Sequence, residues 1–147
     1  MSYMSLYYHI VFSTKERRSF LSDQLLPRVV KYIGGIIRQM DGQLLEGDGM
    51  PDHVHLAAIM HPTCSIADFL RTLKTNSTRW IHETFSDMAT FAWQEGYAAF
   101  TVSPSALPAV KTYIRTQKEH HREISFVDEL KALLDKHGIE YDERYLA

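Results

Sequence analysis

With one cysteine, Cys64, the chain can form no internal disulfide and no all-cysteine metal cluster, which suits a reducing compartment. Long apolar runs are also missing, and every stretch falls short of the roughly 20 residues that span a bilayer. Met1 to Leu6 lacks the basic-then-apolar pattern of a secretory signal. Repeats, low-complexity tracts and interdomain linkers are absent as well. These absences lead us to expect a cytoplasmic protein with no membrane partner, folded as one domain over residues 1–147 and long enough to bury a core. A basic excess is lacking too. Sixteen Lys and Arg face 18 Asp and Glu, for a net charge of -2, and the whole-chain charge speaks against a nucleic-acid partner.

The charge is not spread evenly, however. Between residues 11 and 40, Lys15, Arg17, Arg18, Arg28, Lys31 and Arg38 outnumber Glu16 and Asp23, a net of +4. From 107 to 122, Lys111, Arg115, Lys118 and Arg122 face Glu119 alone, a net of +3. An acidic tail from about residue 123 carries a net of -4 and masks the basic regions. Local charge steers a polyanion, so the global figure says little about partner class. Solvated helix faces would give the same pattern.

Tyr7 to Phe12 is aromatic and β-branched and reads as a strand. Leu26, Val29, Val30, Ile33, Ile36, Ile37 and Met40 keep helical spacing from a cap at Ser22 or Asp23 to the Asp41-Gly42 stop. Gln43 to Glu46 suggests a second strand, Gly47 to Pro51 turn chemistry, and His53 to Met60 a third strand. Ser65 starts a helix with Ile66, Phe69, Leu70, Leu73 and Trp80 on its buried side. One or two short strands are expected around Gly96 between Phe91 and Val102. A helix over Ser105 to His121 follows, with Pro108 in its first turn, then a short helix near Val127 to Asp135 and an extended tail. The order strand-helix-strand-strand-helix-strand is that of an α/β (α+β) ferredoxin-like sandwich, an antiparallel sheet with helices packed on it.

Two constellations carry chemistry. His53 and His55 alternate with Val54 on a strand, so both imidazoles leave the same face, about 6.6 to 7 Å apart along the chain. They can converge on one divalent metal, although an isolated pair of this kind is as readily structural. Asp52 can support an imidazole or serve as a turn residue. Tyr113 and Gln117 lie four apart on the expected helix and share a face. A tyrosine can act as a covalent nucleophile and an amide oxygen can complete a hard-cation site, while half-buried packing is the plainer role. Trp80 and Trp93 read as core residues. His9, His61, His82, His120, His121 and His137 have no defensible ligand spacing.

Met50-Pro51-Asp52-His53-Val54-His55-Leu56, Trp93 to Phe100, and Tyr113-Ile114-Arg115-Thr116-Gln117 with His120-His121 together resemble the single-tyrosine HUH transposase family. These are small transposases of insertion sequences that move as single-stranded DNA, with their REP-associated relatives. The likeness runs from Tyr8-His9-Ile10-Val11-Phe12 to the Tyr141-Asp142-Glu143-Arg144-Tyr145-Leu146 tail. It implies an HUH endonuclease core and a metal-dependent nuclease and strand transferase. Tyr113 would form a 5′-phosphotyrosine link, and His53, His55 and Gln117 would hold one Mg²⁺ or Mn²⁺. The implied substrate is single-stranded DNA with hairpin ends, and the implied assembly is a homodimer with active sites shared between subunits. Lys15, Arg17, Arg18, Arg71, Lys74, Arg79, Lys111, Arg115 and Lys118 are the candidate phosphate contacts.

Three rivals remain at this level. A histidine-triad hydrolase is disfavoured by Ala57, which stands where a third histidine would be. A phosphodiesterase using water would keep the histidines and make Tyr113 dispensable. A domesticated hairpin binder would need none of these side chains for cleavage.

Overall fold

The computed structural model describes residues 1–121 and 124–146. Its first strand, β1 (Tyr7–Ser13), is followed by helix α1 (Leu25–Gln39), strands β2 (Gln43–Met50) and β3 (His53–Ile59), helix α2 (Ile66–Thr84) and strand β4 (Ala98–Val102). Helices α3 (Leu107–Arg115), α4 (Gln117–His120) and α5 (Phe126–Lys136) complete the described chain. The sheet has the order β2-β3-β1-β4 with every pairing antiparallel, as a ferredoxin-like sandwich requires.

Alternation along the strands divides the core in two. Ile10 and Phe12 of β1 and Val54, Leu56 and Ala58 of β3 point to one face. There they meet Val29, Ile33 and Ile37 of α1 and Phe69, Leu70 and Leu73 of α2. Ser65 caps α2, its Oγ accepting the Asp68 amide, and in the turn before α1 Ser22 Oγ accepts the Leu25 amide. Residues of the other parity, His9 and Val11 with His53 and His55, face the opposite way and are all buried. Val11 packs there with Phe100 of β4 and Phe126 and Leu134 of α5. The functional candidates thus lie on the inner side of a second, smaller layer.

The structure redraws three expected elements. Gly47 to Met50 is not a turn but the second half of β2, and the chain turns at Pro51 and Asp52. The glycine is needed for close approach: a Cβ on Gly49 would stand 2.1 Å from the carbonyl oxygen of His53 on the paired strand. Between Phe91 and Val102 there is one strand, β4, with a single bridge joining Trp93 to Thr14. The helix expected over Ser105 to His121 begins at Leu107 and breaks at Thr116, whose hydroxyl donates to the carbonyl of Thr112 at 2.9 Å. Such back-bonding competes with the helical ladder and bends the axis. Ser103, before the helix, accepts the Ala106 amide and acts as a local cap. Arg122 and Glu123, where the basic helix was expected to end and the acidic tail to begin, lie outside the described residues.

Trp93 is core, with its indole N–H donating to the buried Ser77 hydroxyl at 2.9 Å. Trp80 is only half-buried and stacks on Tyr32 with ring centroids 4.4 Å apart. Among the described residues, no helix is long and apolar enough to cross a membrane.

Candidate functional site

His53 and His55 are fully buried, and their ring centroids lie 5.2 Å apart. The period of the strand sends both onto the face that α3, α4 and α5 cover. His53 Nδ1 donates to Asp52 Oδ1 at 2.7 Å. Its Nε2 is 3.1 Å from Gln117 Oε1 and 3.4 Å from Glu129 Oε1. Burial works against a charged His53, but its hydrogen bonds to Asp52 and Glu129 outweigh that and push its pKa up to about 9. Burial also opposes the ionised form of Asp52, yet the bond to His53 holds its carboxyl below the usual range.

His55 Nε2 donates to Glu129 Oε1 at 2.9 Å, and burial holds its pKa below the ordinary value. On its other side, His55 Nδ1 meets His9 Nε2 at 2.8 Å, with the rings stacked 5.1 Å apart. Burial, reinforced by His55, lowers the His9 pKa to about 3, so His9 is neutral at physiological pH.

Tyr113 and Gln117 remain together despite the break at Thr116. The Tyr113 hydroxyl donates to Glu129 Oε2, and Gln117 Nε2 donates to the same oxygen at 3.1 Å. The Tyr113 ring stands 5.8 Å from that of His55 and stacks on His120 at 4.4 Å. Burial and the adjacent Glu129 carboxylate raise the phenol pKa above its ordinary value. All of these groups belong to one chain.

Glu129 is the residue the sequence reading missed. It was counted with a solvated acidic tail, yet it is 1 % exposed, and His121 Nε2 also contacts its Oε1 at 3.0 Å. Burial favours its neutral form, but hydrogen bonds from His53, His55 and Tyr113 prevail and hold the carboxyl far below the carboxylate range. A signal was available: Glu129 follows Phe126 by three and precedes Leu133 by four, which puts an acid on the apolar face of α5. His9 was equally overlooked, although it shares the strand parity of Val11, the residue that pairs with His55.

His53, His55 and Glu129 each offer a ligand atom, and these atoms lie within 4.8 Å of one another. Imidazole nitrogen with carboxylate and amide oxygen is a donor set that suits a divalent cation, so the residues present fit a metal ion.

The candidate phosphate contacts are scattered around this centre. Arg71, Lys74 and Arg79 of α2 line a groove of about 950 Å³ closed on its other side by Gln94 to Tyr97. Lys74 is half-buried and donates to the carbonyls of Gln94 and Gly96, so it is engaged in holding that loop. Lys15, Arg17 and Arg18 are exposed on the short turn after β1, with Arg18 3.4 Å from Glu16. Lys111 is half-buried on α3. Arg115 lies 3.8 Å from Glu46 and Lys118 3.0 Å from Asp23, so both already face acids.

Residues 2–117 match the family model described as "Transposase IS200 like", most of the chain and every sequence-predicted site residue except Lys118. The chain belongs to the IS200-like transposase family. It is similar to the ISDra2 transposase TnpA of Deinococcus radiodurans, with 26% identity over 119 residues covering 78% of this chain and 85% of the relative. It is also similar to the transposase for insertion sequence element IS200 of Salmonella typhimurium, with 28% identity over 125 residues and 78% of each chain covered. Among solved structures, a Deinococcus radiodurans R1 protein assigned as a transposase superposes with a TM-score of 0.65 and 28% identity, covering 80% of this chain and 95% of that one. A REP-associated tyrosine transposase bound to a REP hairpin gives a TM-score of 0.61 at 15% identity, covering 84% and 76%, a likeness of fold. As an IS200-like transposase, the chain has a role in DNA transposition, and its family supports an enzymatic, DNA-cleaving activity. Glu129 lies beyond the matched segment.

Proposed function

We propose that this chain is a cytoplasmic, metal-dependent transposase that nicks and rejoins single-stranded DNA through a covalent bond to Tyr113. The observation that carries the reading is the convergence of Tyr113, His53, His55 and Gln117 around one buried carboxylate within a single chain.

The Tyr113 oxygen attacks a DNA phosphorus, the new Tyr–O–P bond forms, and the bond from phosphorus to the 3′ oxygen breaks. The product is a 5′-phosphotyrosine and a free 3′-hydroxyl, and reversing the step on another 3′-hydroxyl rejoins strands without ATP. The phenol gives up one proton and the departing 3′ oxygen takes one up, so the step is proton-neutral, and the hydrogen bond to Glu129 Oε2 orients the phenol before attack. His53, His55 and Gln117 would hold one Mg²⁺ or Mn²⁺, which supplies neutralisation of phosphoryl charge in the transition state. Asp52 fixes the His53 ring from its far nitrogen and His9 does the same for His55.

The substrate class is single-stranded DNA carrying hairpin ends, in preference to random duplex. The hairpin-bound structural neighbour supports it, as does the groove whose Arg71 and Arg79 offer charge and whose Tyr97 offers an exposed ring for stacking. The assembly proposed is a homodimer. Sharing a site between subunits would require α3 to leave its own Glu129, so mixing Tyr113→Phe with His53→Ala subunits tests it: regained cleavage reports shared sites and none reports self-contained ones.

The reading as a whole is tested with hairpin-ended single-stranded DNA and Mn²⁺. Wild-type protein should give a denaturation-resistant protein–DNA species, and Tyr113→Phe and His53→Ala should not. Cleavage retained in Tyr113→Phe would support a water-using phosphodiesterase, and hairpin binding without cleavage a domesticated binder.

A further inference from the structure

Among the described residues, Glu129 is the one buried acidic side chain. It is a fully buried carboxylate on α5, and its ion-pair partners among the described residues are three imidazoles, those of His53, His55 and His121. No lysine or arginine stands among these described partners, and a buried anion is costly unless it is paired. Two of the three imidazoles are the same ones expected to ligate a cation.

The distances between donor atoms carry the argument further. In a regular octahedral site with metal–ligand bonds of about 2.0 to 2.1 Å, adjacent ligand atoms stand roughly 2.8 to 3.0 Å apart. Glu129 Oε1 lies 2.9 Å from His55 Nε2 and 3.4 Å from His53 Nε2, and Gln117 Oε1 lies 3.1 Å from His53 Nε2. The first and last are close to the edges of one coordination polyhedron, and the His53–Glu129 distance is about 0.4 Å longer. The other oxygen, Oε2, is occupied by Tyr113 and Gln117, so one carboxylate has an end toward the histidines and an end toward the nucleophile.

We infer that Glu129 is a fourth protein ligand of the divalent cation, delivered by α5 from outside the family-matched segment to its own chain's His53, His55 and Gln117. Resting on the metal reading proposed above, this assigns the cation four protein ligands and leaves two of six octahedral positions for water or phosphate oxygen. The same carboxylate couples the cation to the orientation of Tyr113, because its second oxygen holds the phenol.

The test uses the full chain and MnCl₂ alone, with affinity read by calorimetry and folding by thermal melts in EDTA. Glu129→Gln keeps the shape and removes the charge, and it should weaken Mn²⁺ binding by at least about 10-fold, the lower bound for losing even a group that only supports a ligand. His53→Ala should lose binding as well. If Glu129→Gln melts without a cooperative transition, ¹³C-carboxyl spectra of the wild-type chain replace it: substoichiometric Mn²⁺ should broaden the Glu129 signal ahead of the exposed carboxylates. Mn²⁺ affinity unchanged in folded Glu129→Gln but lost in His53→Ala overturns this inference alone, as does a Glu129 signal that stays sharp. Absence of Mn²⁺ binding by the wild type overturns the metal reading and this inference with it.

Discussion

His9→Phe isolates the support that a buried histidine gives to the proposed metal site. His9 Nε2 is the partner of His55 Nδ1 at 2.8 Å, and His55 is wholly shielded from solvent, so water cannot replace the contact when it is lost. Phenylalanine fills a similar ring volume beside Phe100, whose centroid is 5.9 Å from that of His9, so the change removes a hydrogen bond with little cavity. An unsatisfied buried polar group costs about 1–3 kcal/mol, which sets the loss expected in urea unfolding of the metal-free chain. Losing the group that orients a ligating imidazole costs about 10- to 100-fold in metal affinity. Calorimetric titration with Mn²⁺ on the same samples reads the second effect. His9→Phe that is destabilised by this amount yet binds Mn²⁺ like the wild type would refute the argument that His9 orients a ligand.

Ser77→Ala strands the buried Trp93 indole N–H; at about 1–3 kcal/mol and about 2–4 °C per kcal/mol, calorimetric Tm should fall by about 2–12 °C. Gly49→Ala drives a Cβ into the His53 carbonyl, so a loss of about 3 kcal/mol or more is expected in urea unfolding, and a wild-type midpoint would contradict the close-approach account. Removing Arg71 and Arg79 together should weaken hairpin binding and reduce the salt slope of log K by about 1.4, two phosphate contacts at about 0.7 each. An unchanged slope in a fluorescence-anisotropy salt series would place the DNA elsewhere.

The parts of the fold legible from the sequence are those governed by local periods. Alternation gave β1 and β3 and put His53 and His55 on one face, and the spacing of four kept Tyr113 and Gln117 together even across the break at Thr116. Gly47 and Gly49 were misread because turn chemistry and close packing both favour glycine, and only the tertiary neighbours, Val30 of α1 for Gly47 and His53 of β3 for Gly49, distinguish them. Glu129 escaped because its role depends on α5 folding back onto the sheet, a contact spanning 74 residues from His55. Charge counting treats every carboxylate as solvated, so it assigned this buried one to the tail. His9 escaped because its partner lies 46 residues away across a strand pairing.

The central claim is that Tyr113 is the nucleophile, and peptide mass spectrometry after reaction with hairpin-ended single-stranded DNA and Mn²⁺ tests it most directly. The account predicts a nucleotide phosphate attached to the peptide bearing Tyr113 and absent from Tyr113→Phe. A nucleotide attached to another residue, or cleaved DNA with no adduct on any peptide, would contradict it.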